Sequence, residues 1–105
     1  MTNVTATLEQ RGERYGSFLT NATTAQAIKA AMHAAPGWEA LAPDQKEGLE
    51  IIASKISRAL TGDSTYVDNW HDIAGYAVLV EQQLIASRLT GIVEARNAET
   101  QKRRR

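Results

Sequence analysis

Two pairs of acids carry the clearest chemical potential in this chain: Glu47 with Glu50, and Asp68 with Asp72. Carboxylates three or four residues apart share a helical face, so each pair could hold a hard divalent cation such as Mg²⁺, which takes oxygen ligands. On two antiparallel helices the pairs would stand opposite each other. Mg²⁺ bound there would in turn hold a di- or triphosphate, with Lys55 or Arg58 neutralising further charge. A plainer account competes with this one. Glu47 and Glu50 fall opposite an apolar stripe, where solvated acids belong, and Asp68 and Asp72 fall in a first helical turn, where acids meet the helix dipole favourably. Ile51, Tyr76 and Leu79 accompany the acids, so the acidic faces are expected to be partly covered.

Other residues suit a nucleotide. Tyr15 and Trp38 could stack on a base, Arg14, Lys29, Lys55 and Arg58 could reach phosphate, and Asn21 is a further candidate. His71 could act as a ligand or proton carrier, although a lone surface histidine is the commoner case. Trp70 sits at core spacing, whereas Trp38 follows the Pro36-Gly37 turn and is open to either role. No Gly-x-Ser-x-Gly elbow, Walker loop or dinucleotide fingerprint is present, so a nucleotide site must be built from helix side chains.

Those side chains need helices to hold them, and the spacing predicts four or five. The first runs from about Thr5 to Tyr15 and stops at Gly16, with Thr5 or Thr7 as N-cap. The second begins after Thr23 and Thr24 and ends at Pro36 and Gly37. The third starts at Pro43, with Asp44 and Glu47 resembling a capping box, and ends at Thr61 and Gly62. Leu49, Ile52, Ala53, Ile56, Ala59 and Leu60 form its apolar stripe. The fourth starts near Tyr66 to Asp68 and reaches about Ser87, with Trp70, Ile73, Ala77, Val80 and Leu84 as its main stripe and a second, partly apolar surface around Gly75, Tyr76 and Leu79. Thr90-Gly91 predicts a break. The expected organisation is therefore an all-α compact bundle over residues 1–89, packed into a homo-oligomer, with a weakly ordered basic extension over residues 90–105.

Composition narrows the setting. Twelve Lys and Arg balance twelve Asp and Glu, so no global field selects nucleic acid or an anionic membrane, and no sequence-specific nucleic-acid binding is expected. The basic end from Lys102 to Arg105 is read as a solvated terminus. Cys is absent, which removes disulfides, thiolate zinc sites and thiol nucleophiles. The first residues have neither the basic start nor the apolar run of a secretory signal, and no stretch approaches the roughly 20 apolar residues of a membrane span. A cytoplasmic protein is expected.

The runs Arg11 to Phe18, Trp38 to Leu41, Asp44 to Glu47, Lys55 to Arg58 and Asp68 to Tyr76 add a resemblance. In the combination RYG, KIxR and DxWxDIAGY, over roughly residues 6–87, the chain resembles a family of small phage and prophage proteins, domain of unknown function 6378. That family carries no established activity, and the resemblance implies a bacteriophage origin and a bacterial host cytoplasm. A second similarity is to the MazG-like all-α nucleoside triphosphate pyrophosphohydrolases, whose signature is Glu-x-x-Glu followed by Glu-x-x-Asp on the next helix. Glu47 and Glu50 match the first half, Asn69 stands where the next Glu belongs, Asp72 matches the last position, and Asp68 is a substitute one residue early. The similarity implies Mg²⁺ on Glu47, Glu50, Asp68 and Asp72.

Three functions follow as expectations. The first is a non-catalytic binder of a nucleotide or nucleotide-derived signal that sequesters a host defence messenger. The second is a Mg²⁺-dependent pyrophosphohydrolase using Glu47, Glu50 and Asp72. The third is a protein-binding module working through the second face of the fourth helix.

Overall fold

The computed structural model describes residues 4–103, with the backbone alone over residues 12–15. Four helices follow in order: α1 (Val4–Tyr15), α2 (Phe18–Ala34), α3 (Pro43–Thr61) and α4 (Val67–Arg103). No strand occurs among the described residues, so the expected all-α class holds. The expected compactness does not. The radius of gyration is 20.4 Å and the extents are 73 × 30 × 26 Å, against about 13 Å for a compact chain of this length.

The element boundaries differ from expectation for local reasons. α1 already includes Thr5 and Thr7, so neither is its cap. α2 begins at Phe18 and not after Thr24, because Ser17 is a better cap: its Oγ accepts the Thr20 N–H at 3.2 Å while its backbone is extended. α3 begins at Pro43 as expected, but its N-cap is Ala42, which displaces Asp44 from that role. Gln45 Oε1 accepts the Ala42 N–H at 2.9 Å, one half of a capping box, and alanine has no oxygen for the other half. Thr90 and Gly91 do not interrupt α4, since one glycine in a long run of helix formers costs only about 1 kcal/mol.

α3 lies at the centre. α2 packs antiparallel on one side, with Asn21 beside Ser57 and His33 beside Glu50. α4 packs antiparallel on another, with Asp72 on Lys55 and Val80 on Gly48. The backbones of α2 and α4 do not approach each other. The buried positions of α3 are accordingly small: Gly48, Ala53 and Ser57. At Gly48 a Cβ would come within 2.8 Å of Val80 Cγ2, so the missing side chain sets the α3–α4 distance. The buried hydroxyl of Ser57 is satisfied, donating to Asn21 O at 2.8 Å and sharing Asn21 Oδ1 at 2.7 Å.

The buried face of α4 is also shifted from the expected stripe. Asn69 is buried and Asp72, Ile73, Tyr76 and Val80 are half-buried, whereas Trp70 is 56% exposed and Leu84 is 51% exposed. Trp70 is thus a surface residue whose Nε1–H donates to Ser64 O at 2.8 Å, and Asn69 takes the inner position. Beyond Gln83, which lies across from Pro43 and Asp44, α4 outruns α3 and all its residues are exposed.

Gly16 joins α1 to α2 with φ +77°, the only positive φ among the described residues. A Cβ there would overlap the Thr61 carbonyl oxygen at the end of α3. Both conformation and space therefore demand glycine. Gly16→Ala is expected to destabilise the fold by about 2 kcal/mol or more, read as a lowered midpoint in urea with unchanged slope.

Candidate functional site

The antiparallel register of α3 and α4 decides what the acids can do. Lys55 Nζ meets Asp72 Oδ2 at 2.7 Å. Lys55 lies eight residues beyond Glu47, about 12 Å along the helix. Opposite Glu47 are instead Tyr76, Val80 and Gln83, which line with it an apolar cleft of about 510 Å³. Two helical turns therefore separate the two acidic pairs.

Each acid has a different neighbour. Glu50 turns toward α2, where its Oε1 is 2.8 Å from His33 Nε2. Asp68 Oδ2 accepts the Tyr66 hydroxyl at 2.9 Å. Among the described residues no three His, Cys, Asp or Glu side chains are grouped to hold a metal ion. The expected set of Glu47, Glu50, Asp68 and Asp72 is thus not assembled in the chain, because the register places the KIxR basic residues, not the acids of α3, across from Asp72.

The nucleotide candidates are dispersed as well. Trp38 is buried, its ring centroid 4.7 Å from that of His33 and Lys46 Nζ 6.0 Å above it, so it closes the end of the α2–α3 pair. Lys29 is half-buried on α2, His71 is exposed on α4, and Lys55 is engaged by Asp72. The side chains of Arg14 and Tyr15 lie outside the described residues.

One cleft does bring separate sequence runs together. At the α1–α2 elbow, Arg11, Gly16, Ser17 and Phe18 from the first run meet Asn21 and Arg58 around a space of about 310 Å³. Arg58 ends the KISR run of α3, forty residues away from Phe18. The packing of Gly16 on Thr61 and the bonds from Ser57 to Asn21 bring them into one place. Among the described residues the lining contributes two guanidiniums and Phe18, which is 84% exposed. Such a set favours an anion with a flat, apolar part. Spacing alone does not reveal this cleft, since it singles out neither Arg11 nor Phe18. The signal was their membership of the same short run as Tyr15 and Gly16.

Compared with protein-family models, with curated proteins and with solved structures, the chain matches none. No described helix is long and apolar enough to cross a membrane.

The Lys55 ammonium, donating to Asp72, holds that carboxyl below its ordinary value of 3.8, with further attraction from His71 and Arg58 and burial opposing. A carboxylate whose pKa is depressed by folding stabilises above its unfolded value and loses that contribution as pH falls through the folded one. The stability difference between the parent chain and Asp72→Asn is therefore expected to be constant above about pH 5 and to vanish progressively below 3.8. Urea denaturation at a series of pH values checks this.

Proposed function

We propose that this protein is a non-catalytic binder of a nucleotide or nucleotide-derived signal, which it withdraws from solution, and that the α1–α2 elbow takes the phosphate-bearing ligand. The observation that carries the reading is the convergence of Arg11, Ser17, Phe18, Asn21 and Arg58 on one cleft. Guanidiniums supply bidentate donors for phosphate oxygens, and an exposed phenyl ring offers a face on which a base can stack. The two runs that meet there, RGERYGSF and KISR, also belong to the resemblance with small phage proteins. For a phage protein, the natural target of sequestration is a messenger of host defence in the bacterial cytoplasm.

The MazG-like alternative has less behind it. A hydrolase of that kind needs carboxylates converging on Mg²⁺ to activate water. With the two-turn offset between Glu47 and Asp72, and the commitment of Glu50 to His33 and Asp72 to Lys55, no such cluster occurs among the described residues.

A thermal-shift panel of mono-, di-, tri- and cyclic nucleotides, with and without Mg²⁺, tests the proposal. A ligand at a hundred times its Kd is expected to raise the midpoint by on the order of 10 °C, without release of phosphate or pyrophosphate. Arg58→Gln is expected to weaken binding about tenfold to a hundredfold, with circular dichroism confirming that the helix content is kept. Turnover abolished by Glu50→Gln would establish the hydrolase instead, and no shift with any nucleotide would reject both.

A further inference from the structure

α4 carries a second face that nothing among the described residues covers. Val78, Gln82, Ile85, Leu89, Ile92 and Arg96 recur at alternating intervals of four and three, the spacing of a coiled-coil seam. At 100° per residue this seam lies on the side of α4 opposite Asn69, Ile73, Tyr76 and Val80, the residues turned toward α3. Its aliphatic members are half exposed: Val78 47%, Ile85 50%, Leu89 57% and Ile92 54%. The part of α4 past Gln83 is about 20 residues long, on the order of 30 Å, and no other helix packs on it. A helix of that length standing alone in water is marginal, because most helical stability in proteins comes from packing an apolar face.

We propose that this seam pairs with the same seam of a second copy of the chain, antiparallel, about a two-fold axis between Leu89 and Ile92. The charge pattern selects the occupant and the direction. Parallel, in-register pairing would stack Arg96 on Arg96 and bring the two basic ends, from Lys102 onward, together. Antiparallel pairing sets Leu89 against the partner's Ile92, lays the aliphatic stem of Arg96 along the partner's Ile85 with its charged end free to reach water, and carries Lys102 to the partner's Glu81 and Gln82 to the partner's Glu99. Each of these contacts occurs twice, and the helix dipoles oppose favourably. Like charges meet in one direction and are kept apart in the other, which favours antiparallel self-pairing. The inference is independent of the elbow cleft, since neither Arg11 nor Arg58 lies on α4.

Light scattering of the full chain from about 1 to 200 μM is the experiment, with circular dichroism to follow helix content. Self-association is expected, weakened about thirtyfold or more by Leu89→Asp at the centre of the seam. Because Leu89→Asp could unravel the arm by itself, a charge exchange supplies a second reading. Glu81→Lys should weaken association about two- to fivefold, and adding Lys102→Glu should restore it. Residues 81 and 102 are too far apart on one straight helix to meet within a chain, so restoration requires the antiparallel partner. A chain that stays monomeric throughout, or associates equally well as Leu89→Asp, would overturn the proposal. So would ready disulfide formation between two copies of Val78→Cys, which parallel pairing alone permits.

Discussion

The small buried positions of α3 are the constraint on which the rest of the molecule depends. Gly48, Ala53 and Ser57 let one helix be approached by α2 on one side and α4 on another, with no larger core to fill the space between them. Large side chains there would hold the neighbours apart and remove the dispersion contacts that a small fold needs. The arrangement also explains the buried polar bonds. With Ser57 fully buried, its hydroxyl must find an acceptor, and the backbone and side chain of Asn21 provide one, fixing the start of α2 against the last turns of α3.

That placement governs the chemistry. Once Asn21 is pinned to Ser57, the α1–α2 elbow sits beside the end of α3, and Gly16 completes the approach by packing on Thr61 without a side chain. Arg58, one residue beyond Ser57, is carried to the same cleft as Arg11 and Phe18. On the other side of α3, Lys55 takes Asp72 as its partner and settles the register of α4. An acid that a shift of two turns would bring near Glu47 is instead neutralised by an ammonium. A cationic elbow and a dispersed set of acids are thus two results of one packing arrangement.

Asn69 adds a cost to that arrangement. It is buried at 2% exposure and its Nδ2 meets no acceptor among the described residues. A buried amide donor left without a partner costs about 1–3 kcal/mol. Asparagine rather than an aliphatic residue at the base of α4 is therefore not explained by the packing of the described residues, whereas Trp70, next to it, places most of its apolar surface in solvent.

By itself the amino-acid sequence determined the helical class, the approximate span of α3 and the starts and stops written in local chemistry: Pro43 at a first turn, Gly16 and Gly62 at ends. These are short-range effects of backbone conformation and capping, and they survive any tertiary context. It misplaced the start of α2, because Ser17 competes as a cap with Thr23 and Thr24, and it stopped α4 too early at Thr90-Gly91, where a glycine only weakens a helix. The relative register of α3 and α4 was decided by tertiary structure alone. Apolar periodicity specifies which face of a helix is turned inward, yet a slide of one or two turns keeps that face inward while exchanging every cross-helix partner. Four acids at suggestive spacing therefore became a lysine-bound aspartate, a histidine-bound glutamate and two acids with separate surroundings. Arg11 and Phe18, unmarked by spacing, came to share a cleft with Arg58 because Gly16 and Ser57 bring α1, α2 and α3 together at one point.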